Sequence, residues 1–204
     1  ARFLAATRGY RVAGVDLTPE YVEVANELAH RCGLADRVRF LAGDALALPF
    51  ADASFAAAYT QHVAMNIADK AGLYRELARV LRPGATLVIY DILQGPGGPV
   101  RYPAPWSADG STSFLLDRTG LERHLGESGF AVAQVRERGE ESVAWFERRM
   151  AATQAAGGPP PLSIRLLLGP VFAEAFATRA RRCTVKTRFS LPASKRSLNV
   201  NLPV

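Results

Sequence analysis

Cysteine is nearly absent: Cys32 and Cys183 are the only two in 204 residues. They are too few and too far apart for a disulfide framework or a metal cluster, which favours a reducing compartment and makes the cytoplasm the expected location. Long apolar runs are missing too. The best candidate, Leu162 to Phe176, falls short of the roughly eighteen residues a membrane span needs and carries Arg165, Pro170 and Glu174. The start lacks the basic, then apolar, then small-residue order of a secretory signal, and no internal repeat is found. Acidic residues are absent from 179 to 204, where seven basic residues stand. Residues 1 to 178 carry 18 basic and 19 acidic side chains, so the net charge of +6 is a property of the end of the chain. Such a tail could touch phosphate backbones or acidic membranes. Its Ser, Pro and Asn content favours a disordered end, so neither a specific nucleic-acid partner nor a membrane is expected.

What is present is ordinary globular material, 49% hydrophobic, enough for one sizeable core. Short β-rich runs alternate with helical patterns, which predicts an α/β fold with a doubly wound sheet. Residues 1–8 read as the end of a helix stopped by Gly9, and Tyr10 to Asp16 as a strand. Thr18 with Pro19 then starts a helix that runs to about Cys32. Strands are expected at Arg37 to Ala42 and Ser54 to Thr60. Asp69 caps a helix with an apolar face of Leu73, Leu77, Val80 and Leu81, and Arg82-Pro83-Gly84 separates it from a strand at Ala85 to Tyr90. A loop rich in Gly and Pro, 94–116, is long enough to be read as lid-like. Beyond it lie a helix at Asp117 to Ser128, a strand at Phe130 to Glu137, helices at Glu140 to Ala156 and Leu162 to Arg182, and an alternating segment, Thr184 to Phe189, as an antiparallel edge.

Two carboxylates end apolar runs: Val12-Ala13-Gly14-Val15-Asp16 and Val38-Arg39-Phe40-Leu41-Ala42-Gly43-Asp44. In open α/β sheets the ligand crevice lies beyond the C-terminal ends of the strands, where a carboxylate can accept from sugar hydroxyls or an adenine amine. Either Asp could instead cap its own turn. His30 and His124 fall on predicted helices without partner ligands, and no metal site is expected.

The stretches VAGVDLTPEYVEVAN (12 to 26), VRFLAGDALALPFADASF (38 to 55) and YTQHVAMNIADKAGLYRELARVLRPGATLVIYDI (59 to 92) resemble class I S-adenosylmethionine-dependent methyltransferases, close to the small-molecule, ubiquinone-biosynthesis-like group. ERHLGESGFAVAQV and SVAWF (122 to 146) resemble it more loosely. The resemblance implies a Rossmann-like, mostly parallel sheet, with S-adenosylmethionine as cofactor and a small-molecule methyl acceptor as partner. By position, Asp16 would accept from both ribose hydroxyls and Leu17 would pack on adenine. Asp44 would accept from the adenine amine while the Ala45 amide donates to a ring nitrogen. Gln61 would hold the amino or carboxylate end of the cofactor. His62 would remove the acceptor's proton, or else be a packed or capping histidine. Tyr59-Thr60-Gln61-His62 stands where an Asn-Pro-Pro-Tyr motif would mark transfer to base or glutamine amino groups, which points to small metabolites.

The same resemblance puts a first, central strand and a glycine-rich loop ahead of Ala1. Neither is in the sequence, so an N-terminally truncated fragment is expected, with a methyltransferase domain at 1–182, its substrate side at 140–182, and a disordered or non-native tail at 183–204. Two other functions compete. A nicotinamide-dependent oxidoreductase would also use an acidic residue after the second strand, but no Tyr-x-x-x-Lys pair stands near Tyr59 or Tyr90. A degenerate nucleoside-binding or interaction module would fit the missing loop.

Overall fold

A computed structural model describes residues 1–158, 160, 162–163, 166, 169–171, 175 and 183–190. They fall into two compact units divided between Ser54 and Phe55.

The first unit runs α1 (Arg2–Arg8), β1 (Val12–Asp16), α2 (Pro19–Arg31) and β2 (Val38–Ala42). Gly9 ends α1 in the left-handed region at φ 68°, a conformation that costs glycine little. Helix α2 starts after Thr18 with Pro19 in its first turn, but the Thr18 side chain makes no capping bond; the Thr18 amide donates to Asp16 Oδ1 instead, at 2.9 Å. Strands β1 and β2 pair in parallel, with Val12 opposite Val38 and Asp16 opposite Ala42. A Cβ at Gly14 would lie 2.5 Å from the Phe40 ring, so any larger residue there would have to displace that ring. On α2, Asn26 donates to the Phe40 carbonyl at 3.0 Å and accepts from the Phe40 amide at 2.8 Å. One side chain thereby gives the middle of β2 the pairing that a neighbouring strand would.

The second unit runs β3 (Phe55–Gln61), a 3-10 turn (Ala64–Asn66), α3 (Lys70–Val80), β4 (Leu81–Leu93), α4 (Arg118–Glu127), β5 (Ala131–Glu137), α5 (Gly139–Ala155), a 3-10 turn (Gly169–Val171) and β6 (Cys183–Ser190). Its sheet order is β3-β4-β6-β5. β3 and β4 are parallel, whereas β6 is antiparallel to both β4 and β5. Buried Leu73, Tyr74, Leu77 and Val80 of α3 form the core with Leu87 and Ile89 of β4 and Leu121 and Leu125 of α4.

These two parallel pairs carry the α/β, Rossmann-like architecture expected from sequence. β1 has β2 as its single hydrogen-bonded neighbour and β3 has β4. A strand flanked by both is not among the described strands. Two expectations are corrected. β4 runs on to Leu93, past Tyr90, because β6 pairs with it as far as Leu93 opposite Cys183. Residues 183–190, read as the start of a tail with only an edge strand in it, lie inside the sheet between β4 and β5. Ladder bonds use the backbone, so a run of basic side chains does not exclude a segment from a sheet. The helix expected over Leu162 to Arg182 lies largely outside the described residues, which within it include helical Leu166 and Ala175 and the turn Gly169–Val171.

Candidate cofactor and acceptor site

In the first unit the chemistry gathers where the parallel pair ends. Asp16 is the last residue of β1 and is exposed; the Gly43 amide, just past β2, donates to its carbonyl at 2.9 Å. Asp44 therefore leaves the same C-terminal rim one residue later. Each carboxylate spends one oxygen on its own turn: Asp16 Oδ1 accepts from Thr18, and Asp44 Oδ1 accepts from the Leu46 amide at 2.8 Å. The turn-capping role is thus real for both. It leaves Oδ2 of each without a protein partner among the described residues. Next to Asp16, Leu17 stands 74% exposed, an unusual position for a large apolar side chain, and next to Asp44 the Ala45 amide donates to no group among the described residues. Two open acceptors, one open donor and a bare apolar surface are the complement of a ribose diol and an adenine edge.

In the second unit β3 ends at Gln61, opposite Tyr90 of β4. Gln61 is exposed and its side-chain amide has no partner among the described residues. His62 follows with φ 55°, a left-handed conformation that histidine adopts more readily than most residues. Its amide donates to the Tyr90 carbonyl at 2.8 Å, and its ring meets the Tyr90 ring edge-on at 5.0 Å. Partial burial lowers the His62 pKa below its usual 6.5, so the imidazole is neutral at physiological pH and able to accept a proton. Two residues before His62, Thr60 Oγ1 is buried without a hydrogen-bond partner among the described residues.

The 94–116 loop is tied down. Asn66 Nδ2 donates to the Trp106 carbonyl at 2.9 Å and the Thr112 carbonyl at 2.7 Å. The Phe114 amide donates to the Met65 carbonyl at 2.8 Å, and Trp106 Nε1 donates to Ser113 Oγ at 2.9 Å. Trp106 and Tyr102 are half-buried, Phe114 is more open, and Trp145 on α5 is exposed. Among the described residues no group of three His, Cys, Asp or Glu side chains could hold a metal ion, and no helix is long and apolar enough to cross a membrane.

Sequence reasoning missed a buried polar cluster behind the 3-10 turn at 64–66. Lys70 is 5% exposed and Asp91 3% exposed. The Asp91 signal was available: it shares the alternating phase of Ala85, Leu87, Ile89 and Leu93, the buried face of β4. Burial raises its pKa to about 6 and lowers that of Lys70 to about 8.

In a parallel α/β fold, solvated carboxylates at the strand ends stand where a ligand crevice opens. Residues 1–89 match the methyltransferase domain family. The chain is 40% identical over 93 residues to methyltransferase GfsG of Streptomyces halstedii, covering 46% of this chain and 34% of that protein. It is 35% identical over 137 residues to O-methyltransferase cnsE of Penicillium expansum, covering 65% and 48%. Among solved structures, geranyl diphosphate methyltransferase in complex with S-adenosylmethionine superposes with a TM-score of 0.72 at 21% identity, over 93% of this chain and 72% of that one. Residues 1–89 thus carry a similarity to methyltransferases, and the solved methyltransferase structure shares the fold. The chain spans about a third to a half of the length of these two curated relatives.

Proposed function

We propose that this chain acts in the transfer of a methyl group from S-adenosylmethionine to a small-molecule acceptor, in the cytoplasm and without a specific nucleic-acid or membrane partner. In this reading residues 1–182 are the methyltransferase domain, with the 94–116 loop and the 140–182 segment on the acceptor side. The observation that carries it is the rim of the β1–β2 pair: two exposed carboxylates, each with one oxygen uncommitted, next to exposed Leu17 and the open Ala45 amide.

S-adenosylmethionine supplies an electrophilic methyl group on a sulfonium. Asp16 accepts from the ribose hydroxyls, Asp44 and Ala45 read the adenine edge, and Leu17 covers its face. Gln61 donates to or accepts from the amino-acid end. His62, neutral at physiological pH, takes the proton that an acceptor hydroxyl or amine releases; for a nucleophile that is already lone-paired, alignment alone supplies most of the rate. Relatives of this chain include enzymes named as O-, N- and C-methyltransferases. The family match covers residues 1–89; in this reading the acceptor atom is set by later segments.

Calorimetry with S-adenosylhomocysteine tests this reading. Asp16→Ala is expected to weaken binding about 10- to 100-fold, the worth of a hydrogen bond to a charged group. Binding unchanged by Asp16→Ala, or preference for a nicotinamide dinucleotide, would overturn it.

A further inference from the structure

Lys70 opens α3 yet is turned inward, and a buried ammonium is costly unless its protons are engaged. Its Nζ donates to the Ala64 carbonyl and, at 2.6 Å, to the Ile67 carbonyl. Asp91 of β4 meets the same segment through its amides. Its Oδ2 accepts from the Met65 amide at 3.0 Å, while Oδ1 accepts from its neighbour Ile92 at 3.0 Å. The 3-10 turn Ala64–Asn66 is thus gripped by a cation on its carbonyls and an anion on its amides. Its own backbone bonds, Asn66 to Val63 at 3.0 Å and Ile67 to Ala64 at 3.1 Å, are those of one short turn and fix little by themselves. On its other side the turn carries the 94–116 loop, through the two Asn66 bonds and the Met65 carbonyl. It begins two residues after His62, whose left-handed backbone must be held by its surroundings.

We propose that Lys70 and Asp91 are positioning residues: together they clamp the 3-10 turn at 64–66, and through Asn66 and Met65 they set where the 94–116 loop lies beside the end of β3. An apolar pair would fill the same space at less cost in desolvation. A charged pair fixes the backbone in one register. The proposal rests on the reading above only in treating this loop as the acceptor side. It makes Asn66 the link through which a change at Lys70 or Asp91 would alter acceptor selection while leaving adenosine contacts alone.

Hydrogen exchange of the full chain, followed peptide by peptide, tests the clamp without any ligand. Lys70→Met keeps the volume and removes the donors; exchange in 62–68 and 104–114 is expected to accelerate about tenfold or more, with α4 and β5 unchanged. Lys70→Arg retains the cation and should keep both segments slow. Asn66→Ala, at a partly exposed position, should accelerate 104–114 while 62–68 stays protected. Equal exchange in the Met and Arg variants, acceleration spread evenly over α3, α4 and β5, or a loop untouched by Asn66→Ala would overturn the proposal. Calorimetry of Lys70→Met with S-adenosylhomocysteine separates this failure from failure of the functional reading: the clamp predicts wild-type affinity, and wild-type protein that does not bind the compound would count against the reading alone.

Discussion

The two units place their charged groups in opposite ways. In the first, Asp16 and Asp44 sit in exposed turns and bond to amides two positions along the chain, leaving an oxygen of each turned to solvent. In the second, Asp91 and Lys70 are buried and act on backbone groups of one turn, Asp91 on an amide 26 positions away. A carboxylate that must receive a ligand has to stay solvated and uncommitted. One that must hold a backbone has to be sealed from water and fully engaged. The contrast separates groups suited to binding from groups suited to positioning, although Asp16, Asp44 and Asp91 are all acidic residues at or near the C-terminal ends of parallel strands.

The largest effect that would sharpen this contrast is on stability against pH. The Asp91 pKa rises from 3.8 unfolded to about 6 folded, so its protonated form is favoured by the fold. That contribution is complete below pH 4 and lost as pH rises through 6. The Lys70 pKa falls from 10.5 to about 8, so its contribution is complete above 10.5 and lost as pH falls through 8. Between 6 and 8 both groups are charged and both contributions are gone, at roughly 3 kcal/mol each. The side chains facing this cluster from the 3-10 turn, the 94–116 loop and α4 are Ala64, Met65, Phe114, Leu116 and Leu121, none of which titrates; Tyr74 of α3 is the remaining ionisable group, and burial raises its pKa further. In urea titrations, wild type should therefore gain roughly 3 kcal/mol relative to Asp91→Asn between pH 7 and pH 4. A difference independent of pH would break the distinction.

A smaller effect concerns the helix caps. Asp69 accepts from the Gly72 amide at 2.8 Å, whereas the Thr18 side chain caps nothing. Asp69→Ala should cost about 1 kcal/mol and Thr18→Ala only a few tenths in chemical denaturation. Equal losses would mean that the caps are not as described.

The sequence was most legible where partners are close along the chain. Strand ends at Asp16 and near Asp44, the Gly9 stop, the Asp69 cap and the apolar face of α3 all depend on residues within a few positions of one another. The Thr18 side chain caps nothing because the Tyr21 amide, which it would accept from, donates to the Thr18 carbonyl. Long-range partnerships were hidden. Nothing local says that Asn26 closes on Phe40, or that Asn66 reaches Trp106, 40 positions on. The place of β6 was hidden for a different reason: its basic composition resembles a solvated tail, while its place between β4 and β5 is decided by backbone pairing. Asp91 lies between these cases. Its alternating phase announced burial, but its partners Met65 and Lys70 belong to a neighbouring turn and helix that only the fold brings to it.

The central claim is that the rim of the β1–β2 pair reads an adenosine. Amide chemical shifts of the uniformly 15N-labelled chain, titrated with S-adenosylhomocysteine, test it at the atoms concerned. On binding, the Ala45 amide, which has no partner among the described residues, is expected to move downfield on gaining one, with Leu17 and Asp44 shifting in the same titration and Asp16→Ala moving all three to about 10- to 100-fold higher ligand concentration. Saturable binding that leaves Leu17, Asp44 and Ala45 unmoved would contradict it.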